Sequence, residues 1–506
     1  MMKMIPIAPT SKTVAMVLQS LGIAMHLPCG GCRRCGKCAV WVRGTFAPPM
    51  QEEIRLLENT SEAPPKRGFT RRLACFCVPL GDDCFCLEPS CQSAHDPVTA
   101  AFDLRGIAYE GDAPESSGVA IDIGTTTVTL ALFDFSSAVP LAVVNAMNAQ
   151  TAFGADVITR IDASNHGQRE AISAVLRRQL NTMLEQATRE AHAVPSAISR
   201  VVITGNTTML HFLTQLDPRG IGVVPFTPQS LFGETYAANT VFDGVPDSAV
   251  LYLPPCVSAY IGADITCGML AAGLCGGAPS LLADVGTNGE MALYADGKLY
   301  CCATAAGPAF EGAEISRGCP ALAGAIENVW LDGNALRYST IGNAPPIGIC
   351  GTGLMACVAA LLQANAIDKT GLLCGGAEKI TIGDSKIDLT QKDIRQLQMA
   401  KAAVCAGIEI LLAEADLPPE TIQTIHLGGG FGSYMRPNHA AAIGLLPREL
   451  AGRAQSAGNV ALTGAAMLLF SCGLRAKAAE IAKRAEEIQL AAHPLFAERY
   501  MARCSF

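Results

Sequence analysis

The chain has 506 residues, half of them hydrophobic and only 16% charged, which leaves room for about three domains with sizeable cores and excludes a disordered chain. A formal charge of −8 with no Lys/Arg-rich run argues against nucleic acid or an anionic membrane surface as a partner. The opening "MMKMIPIAPTSKTVAMVL" carries a Lys and a Pro where an apolar signal core would stand, and the 21 cysteines of such a chain read as thiols of a reducing cytoplasm, some metal-bound.

Nine of those cysteines fall between Cys29 and Cys91, beginning with "CGGCRRCGKC" at 29–38. Three metal readings compete. Cys29, Cys32 and Cys35 fit the start of a bacterial four-iron run, but Cys38 comes one residue early and Ala39 replaces the proline. A zinc site would pair Cys35/Cys38 with Cys75/Cys77 or Cys84/Cys86. The third skips Cys32: Cys29, Cys35 and Cys38, then a distant Cys75 in "RRLAC", come close to the plant-type two-iron spacing with one extra residue in the first gap. "KCAVWVRGT" alternates like a strand, and "VPLGDDCFCLE" suits another.

This stretch resembles two-iron ferredoxin domains of the hydroxylase-ferredoxin type. The resemblance implies a β-grasp-like domain over 1–92 whose 2Fe-2S cluster is held by Cys29, Cys35, Cys38 and Cys75. It departs at Arg33, beside Arg34, where such loops usually carry Gly; two cations there would raise the potential. Cys32, Cys77, Cys84, Cys86 and Cys91 are then surplus, either buried spare thiols or stand-in ligands. Residues 93–116 are polar and turn-rich, a predicted linker expected to act as a flexible tether.

From 117 the text turns to regular α/β. "GVAIDIGTTTVTLALFDF" (118–135) and "SLLADVGTNGEMALYADGKLY" (280–300) share one plan: an apolar β run, a tight Asp-x-Gly-Thr turn, a second β run. Asp122 matches Asp284, Gly124 matches Gly286 and Thr125 matches Thr287, so two related lobes are predicted, 117–279 and 280–506. Such a turn bares backbone N–H groups to phosphate, and hydroxyls of Thr125, Thr126, Thr127 and Thr287, with Asn288 and Gly289, add to the cradle. An Asp at the strand end suits Mg2+ held through water. A third piece, "TIHLGGGFGSYMRPN" (424–438), runs a strand into Gly428, Gly429, Gly430, Phe431 and Gly432, where backbone can approach a flat ligand such as adenosine.

The three pieces together resemble the actin/Hsp70/hexokinase superfamily of ATPases, a duplicated ribonuclease H-like fold. On that resemblance ATP and Mg2+ bind at 122–127, 284–290 and 427–432, and 348–362 and 391–412 are the connecting helices. The second is expected to bury one face, through Ile394, Leu397, Val404, Ile408 and Leu411. "GNVALTGAAMLLFSCGL" is shorter than the ~18 residues of a membrane span and reads as a buried helix. His211, inside "TMLHFL", reads as a packing histidine, and Glu311, on a Gly-Pro turn, as a catalytic candidate beside Asp122 and Asp284.

Further strings, among them "GADVITRI", "VVITGNTTMLHFL", "YIGADI", "AAGPAFEGAEI" and "LTGAAMLL", resemble reductive activators of corrinoid enzymes. Larger members place a small extra domain in the linker, for which 93–116 leaves no room. The resemblance implies an ATP-hydrolysing activase that passes one electron from its cluster to an inactive Co(II) corrinoid protein, giving Co(I) in a methyltransferase or O-demethylase system, supplied by an external low-potential donor and working as a homodimer. Two rivals stand beside it: an activator of another low-potential enzyme such as a radical dehydratase, and a nucleotide-dependent redox-sensing chaperone.

Overall fold

The computed structural model describes residues 4–21, 23, 25, 33, 36–58, 66–87, 104, 107–111, 116–312, 314–429 and 435–506. Cys29, Cys32, Cys35 and Cys91 lie outside the described residues, as do Gly430, Phe431, Gly432 and much of the predicted linker.

The cysteine-rich part forms a four-stranded antiparallel sheet ordered Met4–Pro6, Phe85–Leu87, Ala39–Arg43, Thr70–Leu73, with helices Val14–Ser20 and Gln51–Glu58. The two strands predicted from alternation are both present. Val40 and Val42 point inward to Ile5, Leu18 and Leu73, making a core of its own. Arg72 grips the buried Glu53 through Nε and Nη2, at 2.7 and 2.9 Å, while the Leu73 amide donates to the same carboxylate at 2.9 Å. A buried bidentate pair with further hydrogen bonds fixes geometry more than it adds stability. Here it ties helix Gln51–Glu58 to the strand that delivers Cys75.

The rest carries two six-stranded sheets built on one plan. The first runs Pro140–Met147, Thr127–Asp134, Ser117–Ile123, Ile198–Gly205, Val250–Leu253, Glu234–Ala237. The second, read from its other edge, runs Ala485–Glu487, Lys298–Thr304, Gly289–Ala295, Ser280–Val285, Thr424–Gly428, Ala454–Gly458. In each, the first hairpin strand sits centrally, antiparallel to its hairpin partner and parallel to a strand much later in sequence. The repeat seen in two short turns is thus a repeat of whole lobes.

The helices that join the lobes are not the predicted ones. Ala263–Ala271 and Val460–Phe470 pack in one core with side chains from both sheets, such as Ala120, Val202, Leu282 and Ala292. Gly351–Gln363 and Gln391–Glu414 belong instead to the core of the second lobe. Apolar composition marks a helix at three of these places, 263–271 excepted, but cannot say against what each packs. Close approach decides it: a Cβ on Gly464 would stand 2.1 Å from the Cys267 carbonyl oxygen, so glycine lets the two interlobe helices touch backbone to backbone. Helix Gln391–Glu414 buries one face in its first turns, with Arg395 and Met399 exposed, and is enclosed on all sides from Ala400 to Leu412, Lys401 and Glu409 included.

The linker is also more anchored than predicted. Leu104 is buried in the interlobe core, and Tyr109 stacks on Phe135 at 4.2 Å. The Glu110 carboxylate accepts from Ser471 Oγ and the Gly473 amide, both at 2.8 Å. A tether free from 93 to 116 is excluded by these contacts.

Candidate functional site: two hairpins closed on one carboxylate

Each hairpin turn is tight because its glycine amide folds back onto its own strand. Gly124 N–H donates to the Thr127 carbonyl at 2.9 Å, and Gly286 N–H to the Asn288 carbonyl at 2.8 Å. The two turns face each other: Thr126 Oγ1 and Thr287 Oγ1 stand 3.1 Å apart. Both hydroxyls converge on Glu311 Oε2, at 2.9 and 2.8 Å. Residues 161 and 185 positions from Thr126 thereby meet at one point, and Glu311 is in the cleft.

Four carboxylates line the strand ends behind the turns. Burial is the main cause of every shift. It pushes Asp122 up to about 6, against a hydrogen bond from Asn459 Nδ2 at 2.9 Å that holds it down. Asp264, at the start of an interlobe helix, is pushed to about 7 by burial and by the Asp122 charge. Asp284 is pushed to about 8 by burial, then by Asp264 and Asp122. Glu290 is raised well above the usual range by burial and by Asp264 and Asp284. Groups that repel one another in this way favour a nearby divalent cation.

Among the described residues no three such groups converge to ligate an ion directly. Carboxylates near enough to feel each other yet not to share an ion fit Mg2+ bound largely through water, as that ion prefers.

The glycine run enters the same place. Gly429 has φ +89° and a Cβ there would lie 2.3 Å from Asp284 Oδ1, so only glycine fits behind that carboxylate. Past the run, Met435, Arg436 and His439 line a small recess together with Glu327, Thr352 and Met355.

The first hairpin rests on residues distant from it in sequence. Asn148 Nδ2 donates to the Gly124 carbonyl at 2.8 Å, and Asn206 Nδ2 to Thr125 Oγ1 at 3.1 Å. Arg160, fully buried, donates to the carbonyls of Thr125 and Gly154. Arg160 and Asp264 both lie in strings already noticed, "GADVITRI" and "YIGADI", while Glu290 directly follows Gly289. His211 is a packing residue, its Nδ1 2.7 Å from the Thr207 carbonyl and its Nε2 accepting from the Gln229 amide at 3.2 Å.

In the cysteine-rich part, Cys38 and Cys75 are buried with their sulfurs 3.2 Å apart, well beyond the ~2.05 Å of a disulfide. Two reduced thiols facing each other are the donor chemistry that soft iron sites use. Arg33 has φ +61°, the left-handed conformation for which such loops carry Gly. Its cost is offset by what the side chain does: Nε donates to the Cys75 carbonyl at 3.1 Å, and the guanidinium lies over Phe76 at 5.1 Å. Cys77 and Cys86 are buried thiols, pushed by burial up to about 12, and Cys84 donates to the Thr45 carbonyl at 2.9 Å.

Residues 117–276 match the family described as RACo middle region, and 278–506 the C-terminal domain of RACo, the ASKHA domain. Over 427 residues the chain is 33% identical to the "Corrinoid activation enzyme RamQ" of Eubacterium limosum, covering 77% of this chain and 70% of that protein. It is 25% identical over 423 residues to the "Co(II) methylated amine-specific corrinoid protein reductase" of Methanosarcina barkeri, covering 77% of each. A solved "Reductive activator for corrinoid,iron-sulfur protein" superposes with a TM-score of 0.71 at 29% identity, covering 99% of this chain and 96% of that one.

Proposed function

The chain belongs to the RACo family of corrinoid-protein activators, and on that premise we propose that it is an ATP-driven reductase of a Co(II) corrinoid protein in a methyltransferase system. The observation that carries the ATP half is the convergence of Thr126, Thr287 and Glu311 between two Asp-x-Gly-Thr turns. Turn amides and threonine hydroxyls take the phosphate oxygens, while Asp122 and Asp284 hold the hydrated Mg2+. Glu311, hydrogen-bonded to both turns here, is the acid that would orient the attacking water once phosphate displaces it from the two hydroxyls.

The electron half rests on Cys29, Cys35, Cys38 and Cys75 in a ferredoxin-type, β-grasp-like domain. A 2Fe-2S cluster bound there would supply one electron at a time. The buried Cys38 and Cys75 keep their sulfurs together, and Arg33 fixes the backbone at Cys75.

One electron converts Co(II) to Co(I), and an external low-potential donor refills the carrier. The step is uphill, and each ~59 mV is about tenfold in equilibrium constant for one electron. ATP helps only if the activator binds the two corrinoid states differently, so closure of the lobes must favour the more easily reduced one.

The test is anaerobic mixing of the whole protein with a Co(II) corrinoid protein, following Co(I) absorption with and without ATP. ATP-dependent Co(I) is expected; Co(I) formed equally without ATP would overturn the reading. Iron analysis should give about two iron and two sulfide per chain, lost in Cys75→Ser and kept in Cys32→Ser. Four irons, or loss on changing Cys32, would replace the ligand set.

A further inference from the structure

Lys37 stands next to Cys38 in the cysteine-rich domain, yet its ammonium is held by the ATPase domain. Nζ donates to the carbonyls of Gly312 at 2.6 Å, Ile315 at 2.9 Å and Gly318 at 2.8 Å. An ammonium has three protons, and each finds a carbonyl.

The cradle is shaped for this. Gly312 has φ +74°, and a Cβ there would stand 2.5 Å from the Cys319 carbonyl oxygen. A Cβ on Gly318 would stand 2.1 Å from the Gly312 carbonyl oxygen. Only glycines let the loop curl tightly enough to aim three carbonyls at one point. The loop is also braced from outside: the Ser316 amide donates to Asp393 Oδ1 at 2.7 Å, and the Cys319 amide to the Ile349 carbonyl at 2.9 Å.

Gly312 directly follows Glu311, whose carboxylate receives both hairpin hydroxyls. A short path of contacts therefore runs from Thr126 and Thr287 through Glu311 and the Gly312 carbonyl to Lys37, and by one peptide bond to Cys38. We propose that Lys37 is a positioning residue, seating the cysteine-rich domain on the loop after Glu311, and that phosphate gripped between the hairpins loosens this seat.

The direction follows from charge and hydrogen bonding. A phosphate between the turns takes the Thr126 and Thr287 hydroxyls that now serve Glu311, and repels the Glu311 carboxylate. Glu311 then withdraws and carries Gly312 with it. A cradle whose carbonyls no longer converge holds an ammonium poorly, so the domain is freed to meet its redox partners when ATP is bound. This rests on the reading above in one respect, that nucleotide phosphate binds between the hairpins.

Hydrogen–deuterium exchange on the full-length, cluster-loaded protein tests it, each variant being read on the opposite domain. Lys37→Ala should speed exchange of amides 312–319, and Gly318→Ala that of amides 36–43. Loss of hydrogen bonds to a charged group should give about tenfold or more. Amides of strands 117–134 and the iron content should stay as in the parent, showing that both variants fold. Mg2+ with the non-hydrolysable analogue AMPPNP should speed exchange in both segments of the parent protein.

Lys37→Ala without effect on 312–319 would overturn the seat, and AMPPNP slowing exchange there would overturn the release. Exchange at turns 124–127 and 286–289 reports binding of the analogue in the same sample. If those turns do not respond, the ATP reading fails, while the cross-domain effect of Lys37→Ala still decides the seat.

Discussion

The two hairpins share a sequence plan and a strand order, yet they are held in opposite ways. The first is braced by neutral and cationic donors: Asn148 on the Gly124 carbonyl, Arg160 on the Thr125 carbonyl, Asn206 on the Thr125 hydroxyl, Asn459 on Asp122. The second is pressed by like charges, with Asp284 beside Asp264 and Asp122 and Glu290 at its other strand. Among the described residues no side chain donates a hydrogen bond to Asp284. Asp122 accordingly rises only to about 6 and Asp284 to about 8. One turn is built to stay in place; the other holds a carboxylate that burial and like charges press on. The duplication supplied one frame twice, and the surroundings divided the labour.

The largest effect that would sharpen this contrast is expected at Asp284. Asp284→Ala should reduce ATP-dependent corrinoid reduction by about 10²- to 10³-fold, the usual cost of removing a key electrostatic group, with the iron content unchanged. Gly429→Ala should reach a similar end from behind, since its Cβ would displace the Asp284 carboxylate. Kinetics of both, set beside Asp122→Ala, decide the matter. Equal losses from the two aspartates would mean the hairpins share the cation evenly.

What the sequence made legible was local. Asp-x-Gly-Thr appears twice because each turn needs the same backbone, and a turn is written in adjacent residues. Glu311 was visible as an acid on a Gly-Pro turn. The supports were not. Asn459 reaches Asp122 across 337 positions and Lys37 reaches Gly312 across 275, and no spacing rule announces such partners. The interlobe helices were misplaced for a related reason: apolarity marks burial, whereas Gly464 against Cys267 is a statement about two backbones. The linker, polar in composition, was read as free although Tyr109 and Glu110 dock on the ATPase domain.

A stability measurement should separate the hairpins next. Arg160 is enclosed, its guanidinium pushed down to about 10 by burial, and it serves two carbonyls. Arg160→Met keeps much of the volume but leaves both acceptors buried without that donor, at about 1–3 kcal/mol each. A loss of about 2–6 kcal/mol in denaturant unfolding is expected, with exchange rising first in the turn at 124–127 and not at 286–289. A uniform rise over both turns would show that the first is not separately braced.

The smallest effect is the dependence of stability on pH. Asp284 holds its proton in the folded protein to about pH 8, whereas an unfolded carboxyl releases it near 4. Between those values the folded state binds more protons than the unfolded one, so stability must fall as pH rises, most steeply before pH 8. For one group the slope approaches about 1.4 kcal/mol per pH unit. On the proposed reading Mg2+ would reverse the sign of the local problem, because it favours the deprotonated carboxylates and so would stabilise more at pH 8 than at pH 6. Thermal unfolding from pH 6 to 8.5 should therefore show a melting temperature that declines without Mg2+–ADP and stays flatter with it. Asp284→Asn should remove more of that slope than Asp122→Asn, since Asp122 is already held down by Asn459. If Asp122→Asn flattened the curve as much, the asymmetry between the two hairpins would not be electrostatic in origin.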